Sequence, residues 1–221
     1  MRMLRNAFAA MLLWSIPATA QERTEIRTYQ INHALFGDIG KLSDEITQDG
    51  ERTRVVTRTD IRVKLLGITL HHVRAEWEET WHAGALQQYR ATTTRNGSSE
   101  SVSGRHEDGK FIVRAGEREF DAPAEIQPIN PWSLQFVRAA FFMSPESGDV
   151  FTANVMDKGV ETMGIGGQRR RVRHYIVQTD TTSHLYFDEA GMLLQVEFRD
   201  ITGRVRFTLQ SGDEPRVASA R

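Results

Sequence analysis

The chain has 221 residues, with 28 lysines and arginines, 29 aspartates and glutamates, and no cysteine. This length is enough for one domain with a sizeable core and is short for two. The net charge of -1 speaks against a nucleic-acid-binding surface, which needs a basic excess. The missing thiols exclude disulfides, thiolate metal sites and cysteine nucleophiles.

The N-terminus has the pattern of a cleaved secretory signal peptide. Arg2 and Arg5 place positive charge before the apolar run 7–16, and Ala18-Thr19-Ala20 supplies the small residues that signal peptidase requires. We therefore predict a signal peptide over residues 1–20, cleavage after Ala20, and a periplasmic or secreted mature protein. An uncleaved anchor or a buried strand is the alternative. No later segment is apolar for about 20 residues, so no integral membrane helix is predicted.

Turn signals recur along the rest of the chain. Glycine, alone or after Asn or Asp, adopts the positive φ that tight hairpins need. The predicted turns lie at 37–40, 49–50, 67, 83–84, 96–97, 108–109, 115–116, 157–159, 164–167, 190–191 and 202–203. This spacing indicates strands that are joined by hairpins.

The segments between these turns alternate between two kinds of residue. From 53 to 65 the odd positions carry Thr, Val, Ile and Leu, whereas the even positions are mostly Arg, Asp and Lys. A period of two is typical of a half-buried antiparallel strand, and residues 204–210 repeat it. We predict a single, mainly β domain over residues 21–210, followed by a disordered polar tail at 211–221.

The predicted strands are unusually long. Gly50, Gly67, Gly84 and Gly97 stand 17, 17 and 13 positions apart. The strands between them therefore have about 12 to 15 residues, against a usual length of about 5 or 6. Since twist accumulates along a strand, we predict a strongly curved antiparallel sheet, either a half-barrel or an open barrel.

The proline-rich segment 121–131 interrupts the β pattern. Asn130-Pro131 is a favourable start for a helix, and Trp132, Phe136 and Phe141 belong to an apolar stripe at helical spacing. We predict one short helix over about residues 131–142. It would pack into the concave side of the sheet and cover its apolar face.

Three stretches, Val63–Ile68, Glu79–Leu86 and Leu185–Leu193, each combine a strand with a turn. In their order and spacing they resemble an uncharacterised family of exported bacterial proteins that is described only as a domain of unknown function. His71-His72 departs from this pattern, in which an aromatic residue is expected after Leu70. The resemblance implies a curved sheet similar to that of periplasmic carriers such as the lipoprotein-localisation factors, which hold acyl chains against a half-barrel.

Glu79 is the most notable carboxylate of the sequence. It shares a strand face with Trp77 and Trp81, and burial between indoles would raise its pKa, as a general acid requires. Pairing is the alternative. A two-residue turn at Ala83-Gly84 would bring Arg90 diagonal to Glu79 and opposite Trp77, for an ion pair and a cation–π contact. We favour this pairing and assign no catalytic residue.

The seven histidines do not form a compact set of metal ligands. The neighbours His71 and His72 point to opposite faces of a strand, so they cannot chelate one ion together. His174 and His184 flank a turn and could approach each other, but the pattern leaves their register open. We assign no metal and no cofactor.

The arginine-rich run Arg169–Arg173 predicts a solvated strand face, with a patch for anionic headgroups or polysaccharide as the alternative. The aromatic residues favour binding over catalysis, because a coiled sheet closed by one small helix leaves an apolar cavity in its mouth. The candidate ligand-binding residues are Trp77, Glu79, Trp81, Tyr89, Trp132, Phe136 and Phe141.

We therefore predict an exported, soluble binding or carrier protein for an apolar or amphipathic ligand such as a lipid, and we leave its oligomeric state open. One alternative is a structural or interaction protein of the envelope that uses a charged face or an exposed edge strand. A further alternative is an enzyme centred on Glu79, which would need convergent polar groups in one pocket.

Overall fold

The computed structural model describes residues 22–212 and 216–217, most of which lie in β-strands. The first eight strands, β1–β8, are Arg23–His33, Gly37–Asp49, Arg52–Leu65, Ile68–His82, Ala85–Arg95, Ser98–Glu107, Lys110–Ala115 and Arg118–Pro123. A small sheet follows, made of β9 (Gln127–Pro128), β10 (Phe141–Met143) and β11 (Val150–Thr152). Strands β12–β17 are Asn154–Ile165, Gln168–Gln178, Thr182–Phe187, Leu193–Arg199, Arg204–Gly212 and Arg216–Val217.

The large sheet is an antiparallel meander whose first strand lies in its interior. The chain runs outward from β1 to β8, crosses to the far edge, and returns from β12 to β16, which pairs with β1. β17 also pairs with β1. Within the described chain the edge strands β8 and β12 do not pair with each other, so the curved sheet stays open. No helix among the described residues is long and apolar enough to cross a membrane.

The long, curved, antiparallel sheet agrees with the prediction. β3 and β4 have 14 and 15 residues, and Gly67 and Gly84 stand in the turns that end these strands. The period of two also holds for most of β3, since Val55 and Thr57 are buried whereas Arg54 and Arg58 are exposed; Val56, which is buried as well, is the exception. Burial of one face of such long strands requires a curved sheet with a covered concave side.

Two predicted turns are irregularities inside strands instead. Gly40 lies within β2, where a Cβ would overlap the carbonyl oxygen of Asp60 on the neighbouring strand. A glycine is needed there because the two backbones approach closely, not because the chain reverses. Residues 157–159 lie within β12, at a shift of its register against β13.

The helix predicted over about 131–142 is not formed. This segment, all of which is described, contains one 3-10 turn at Phe136–Arg138 and then enters β10. Its apolar residues pack in different directions. Phe136 and Phe142 join one core cluster, whereas Trp132 and Phe141 pack against another. A helix presents one stripe to one surface and could not serve both clusters.

The connection between β8 and β12, residues 124–153, takes the covering role predicted for the helix, and we call it the crossing segment. Ile126 and Met143 pack against inward residues of β2–β8. Phe136 and Phe142 pack against β1 and β13–β15. The crossing segment therefore covers the concave face of both halves of the sheet.

The predicted ends of the chain are described only in part. The predicted signal peptide, residues 1–20, lies outside the described residues. Within the predicted disordered tail, residues 211–212 complete β16 and residues 216–217 form β17, and both pair with β1. That part of the prediction is wrong, because the N-terminal half of β1 offers backbone donors and acceptors on which the chain continues to pair.

Candidate functional site

A cavity of about 440 Å³ lies between the concave face of the sheet and the crossing segment. Its wall is mostly apolar. The sheet contributes side chains from β1–β5 and β13–β16, among them Leu42, Ile61, Ala75, Trp77, Val196 and Phe207. The crossing segment contributes Ile129, Pro131, Phe136, Phe142 and Phe151. Sites for small molecules have about 300–1,000 Å³, so the volume fits a ligand of modest size.

The cavity opens at the end of the sheet that carries the β3–β4 turn. Thr179 and Thr181, which flank the tip of the β13–β14 turn, line the cavity and are exposed. The antiparallel order places the β13–β14 and β3–β4 turns at the same end of the strands. Towards the opposite end, Trp81 and Tyr89 are buried in packed core. The cavity is therefore closed by packed side chains at one end, which we call its floor, and it opens at the end that carries the turns, which we call its mouth.

A chain of hydrogen bonds forms the polar part of the wall. Asp44 lines the cavity and accepts a hydrogen bond from Thr57 Oγ1 at 2.6 Å. Asn130, which also lines the cavity, donates from Nδ2 to Thr57 Oγ1 at 3.0 Å and to Glu79 Oε1 at 2.8 Å. One amide group therefore bridges a hydroxyl and a carboxylate, and it joins the crossing segment to β3 and β4.

Glu79 is enclosed by donors. Its Oε2 accepts hydrogen bonds from Trp81 Nε1 at 2.9 Å and Trp132 Nε1 at 3.0 Å, and the side chain is fully buried. Burial raises the pKa of Glu79 to about 7, although these donors and Asn130 act in the opposite direction. Glu79 lies behind the wall of the cavity, so this carboxylate fastens the crossing segment and does not face a ligand.

Asp44 is the second buried carboxylate of this network. Burial raises its pKa to about 6, while the hydrogen bond from Thr57 and the charge of Arg27 lower it. A negative charge on Asp44 also contributes to the raised pKa of Glu79. The two carboxyl groups consequently hold their protons into the mildly acidic range, where a protonated Asp44 can donate a hydrogen bond into the cavity.

Trp132 is held at two points. Its carbonyl oxygen accepts a hydrogen bond from Arg27 Nη1 at 2.6 Å, and its indole donates to Glu79. Its ring meets that of Trp81 edge-on, with centroids 6.1 Å apart. Strands β1 and β4 thus fix the residue that follows Pro131, and with it the course of the crossing segment over the cavity.

The seven predicted binding residues fall into three settings. Two of them, Trp77 and Phe136, line the cavity. Three form the hydrogen-bonded cluster around Glu79 described above. The remaining two, Tyr89 and Phe141, pack into the core beside it. The predicted set therefore surrounds the cavity and its floor, but only part of it forms the wall.

The predicted pairing of Glu79 with Arg90 is wrong. The two-residue turn at Ala83-Gly84 forms as expected, with positive φ at both positions. β5 then accommodates an extra residue, Gln87. As a result, Glu79 lies opposite Tyr89, and Arg90 lies opposite Glu78. A one-residue shift moves a side chain to the other face, and Arg90 is exposed on the outer side of the sheet. The predicted contact of Arg90 with Trp77 is wrong for the same reason, because Trp77 lies opposite Ala91.

The paired histidines lie on the outer face. His174 Nε2 and His184 Nδ1 are 2.9 Å apart, and His174 stacks on Tyr186. Among the residues that the structure describes, no group of three or more His, Asp or Glu side chains is arranged to hold a metal ion.

Asp44 and Asn130 were not singled out by the sequence patterns. The position of Asp44 was visible, since it alternates with Leu42 and Ile46 and so belongs to an inward-facing set. The sequence pattern places Asn130 at a helix N-terminus, where its side chain would bond to the backbone of its own segment. No local pattern indicates that it reaches Thr57 and Glu79 instead.

Comparison with known proteins identifies similar folds and a family. The fold resembles the beta-barrel-like protein of the domain of unknown function DUF1849 from Brucella abortus, at a TM-score of 0.65 and 12% identity over 86% of this chain and 97% of that chain. A DUF1089 family protein from Pseudomonas aeruginosa aligns over 91% of this chain and 95% of its own, at 12% identity and a TM-score of 0.31. Among curated proteins there is no match. Residues 37–210 match the domain of unknown function DUF6134, and the chain belongs to this family.

Proposed function

We propose that this protein is an exported binding or carrier protein that holds an apolar or amphipathic ligand, such as a lipid acyl chain, beneath the crossing segment. The observation that carries the proposal is the cavity of about 440 Å³, which keeps a mostly apolar wall open to solvent. Apolar surface in contact with water is unfavourable by about 25 cal/mol per Å², so a ligand that covers it gains free energy.

The residues that line the cavity favour an amphipathic ligand. Phe142, Leu185 and Phe207 line the interior, where an alkyl or aromatic body would replace water. Thr179 and Thr181 line the exposed mouth, where a polar headgroup would stay hydrated. Asp44 supplies a polar contact at depth. This distribution suits an amphipathic molecule better than a sugar or a nucleotide.

The catalytic alternative has less support. An enzyme centred on Glu79 would need its carboxylate to face a substrate, but Trp81, Trp132 and Asn130 occupy it and the side chain is fully buried. Export is part of the proposal and rests on the signal pattern of residues 1–20.

Binding of a fluorescent fatty acid, 11-(dansylamino)undecanoic acid, tests the proposal. We expect saturable binding that oleate displaces. Val196→Trp, on the cavity wall, should weaken binding at least about tenfold, which corresponds to about 1.4 kcal/mol. The matched control is Val160→Trp, which makes the same change at an exposed position of β12 and should leave binding unchanged.

Native mass spectrometry of the protein isolated from the periplasm gives a second, independent result. We expect the mass of a chain whose first residue is Gln21, together with a bound amphiphile that organic solvent extracts. If the protein carries no amphiphile and does not bind the fluorescent probe, the carrier function is refuted, and an envelope interaction protein without a small ligand becomes the better explanation.

A further inference from the structure

The hairpin between β3 and β4 carries an unusual concentration of exposed apolar side chains. Leu65 is 52% exposed, Leu66 95%, Ile68 67% and Leu70 54%. These four residues lie within the six positions 65–70, which we call the β3–β4 tip. Single exposed apolar residues are common on soluble proteins, but a cluster of this kind marks an interaction site.

The β3–β4 tip projects beyond its neighbours. The last ladder pair of β2 with β3 is Gly40 with Ile61, and the last pair of β5 with β4 is Arg95 with Val73. Among the described strands, residues 64–70 therefore pair only with each other. Both faces of the hairpin are free at this point, so the tip is a protruding finger and not one side of a groove.

The β3–β4 turn places an apolar residue at an exposed position that also requires an unfavourable backbone conformation. Leu66 has a φ of 50°, a left-handed conformation that a leucine adopts with difficulty, and Gly67 completes the turn. The neighbouring β5–β6 turn uses Asn96-Gly97, which is the preferred pair for the same conformation. A polar residue would thus satisfy both the backbone and the solvent, yet a leucine stands at the most exposed position of the tip.

Two other turns at the same end of the sheet also present apolar residues. Leu35, in the β1–β2 turn, is 68% exposed, and Ile201, in the β15–β16 turn, is fully exposed. The pairing of His33 with both Gly37 and Val205 places these turns at the end that carries the β3–β4 tip. This is also the end at which the cavity opens.

The charged side chains of the hairpin itself are mostly basic. Residues 61–74 contain the basic side chains Arg62, Lys64 and Arg74 and no acidic one. All three basic residues are exposed, and they follow the apolar tip towards the body of the sheet. Asp60, the acidic residue that precedes this stretch, forms ion pairs with Arg62 and Arg74, so the three basic residues exceed the acidic ones by two. An apolar tip with a basic collar matches an anionic bilayer, in which headgroups lie above hydrocarbon.

We propose that the β3–β4 tip inserts into the surface of a bilayer that contains anionic phospholipid, with Arg62, Lys64 and Arg74 at the headgroups. This docking would turn the mouth of the cavity towards the membrane. It goes beyond ligand binding and does not depend on it, since the tip can bind a bilayer whether or not the cavity takes up a lipid. A second copy of the chain or a protein partner would be expected to cover one face of the hairpin, whereas both faces are apolar or basic.

Flotation with vesicles tests this docking. The chain from Gln21, which contains every strand of the described structure, is mixed with phosphatidylcholine vesicles that contain or lack phosphatidylglycerol. We expect binding to the anionic vesicles that falls at high salt, because salt screens the basic collar. The variant Leu66→Asn with Ile68→Thr should bind at least about tenfold more weakly, a change of about 1.4 kcal/mol.

The controls separate this result from misfolding and from the proposed ligand. Ala83→Asn makes a similar change in the turn at the opposite end of β4 and should keep wild-type vesicle binding. The tip variant should keep the wild-type circular dichroism spectrum and the wild-type affinity for 11-(dansylamino)undecanoic acid. Absence of vesicle binding by the wild type, or equal binding by the tip variant, would overturn the docking. A wild-type dimer that the tip variant makes monomeric, without vesicle binding, would show a second copy on the tip instead.

Discussion

Trp132 of the crossing segment donates its indole N–H to the carboxylate of Glu79, 3.0 Å away and 53 positions earlier in the chain. Asn130 donates to the same carboxylate, and among the described residues no cation forms an ion pair with it. Glu79 therefore uses neutral donors to hold the start of the crossing segment. The covering of the cavity depends on a buried acid whose protonation state changes near neutral pH.

The pH dependence of stability follows from the raised pKa of Glu79. Its pKa rises from 4.5 in the unfolded chain to about 7 in the folded one, so the folded state keeps a proton that the unfolded state loses between these values. The free energy of unfolding should therefore fall as the pH rises through this window, by on the order of 3 kcal/mol from this group. Asp44 acts in the same direction up to about pH 6. Urea unfolding at pH 5, 6, 7 and 8, followed by tryptophan fluorescence, measures the fall.

The variant Glu79→Gln isolates the contribution of this carboxyl group. An amide does not titrate, so the fall in unfolding free energy between pH 5 and pH 8 should be clearly smaller in the variant. Glu76→Gln, on the exposed face of the same strand, serves as the matched control and should follow the wild-type profile. Parallel profiles for the wild type and Glu79→Gln would show that Glu79 is not the titrating group.

Asn130→Ala should loosen the crossing segment. The change removes two hydrogen bonds from a buried amide and leaves Glu79 and Thr57 each without one donor. Since unpaired buried polar groups cost about 1–3 kcal/mol, we expect a loss of stability of that order in urea unfolding. Asn32→Ala, at an exposed position of β1, should change stability by less than about 0.5 kcal/mol. Equal effects of the two variants would contradict the bridging role of Asn130.

Features of the fold that depend on local backbone conformation could be predicted from the sequence, whereas features that depend on tertiary packing could not. Gly67 and Gly84 mark their turns through backbone conformation, which is a local property, so strand length and sheet curvature could be predicted. No local pattern indicates that β5 contains the extra residue Gln87. This one residue changes which side chains of β5 lie on the same face of the sheet as Glu79. The helix was predicted from spacing that fits a single surface, but Phe136 and Trp132 pack against two. The helix prediction therefore failed because contacts between residues far apart in the chain determine how the crossing segment packs.

Gly104→Ala should destabilise the core through overpacking. A Cβ at Gly104, in β6, would overlap the ring of Phe111 on β7, and that ring is fully buried. We expect a loss of about 1–3 kcal/mol, because the ring must leave its packed position. Gly164→Ala, in β12, is the control, since a Cβ there meets no atom within 4 Å. Thermal unfolding of both variants measures the difference, and similar midpoints would contradict the close packing.

Leu66→Asn alone should stabilise the fold, in contrast to its expected effect on membrane binding. The left-handed conformation of Leu66 costs about 1–2 kcal/mol for an ordinary residue, and asparagine adopts it more readily. The side chain is 95% exposed, so the change removes almost no packing. We expect a gain of a few tenths of a kcal/mol to about 1 kcal/mol in urea unfolding. A variant that is more stable but no longer docks would mean that Leu66 serves the membrane and not the fold, whereas a loss of stability would mean that this leucine packs within the protein after all.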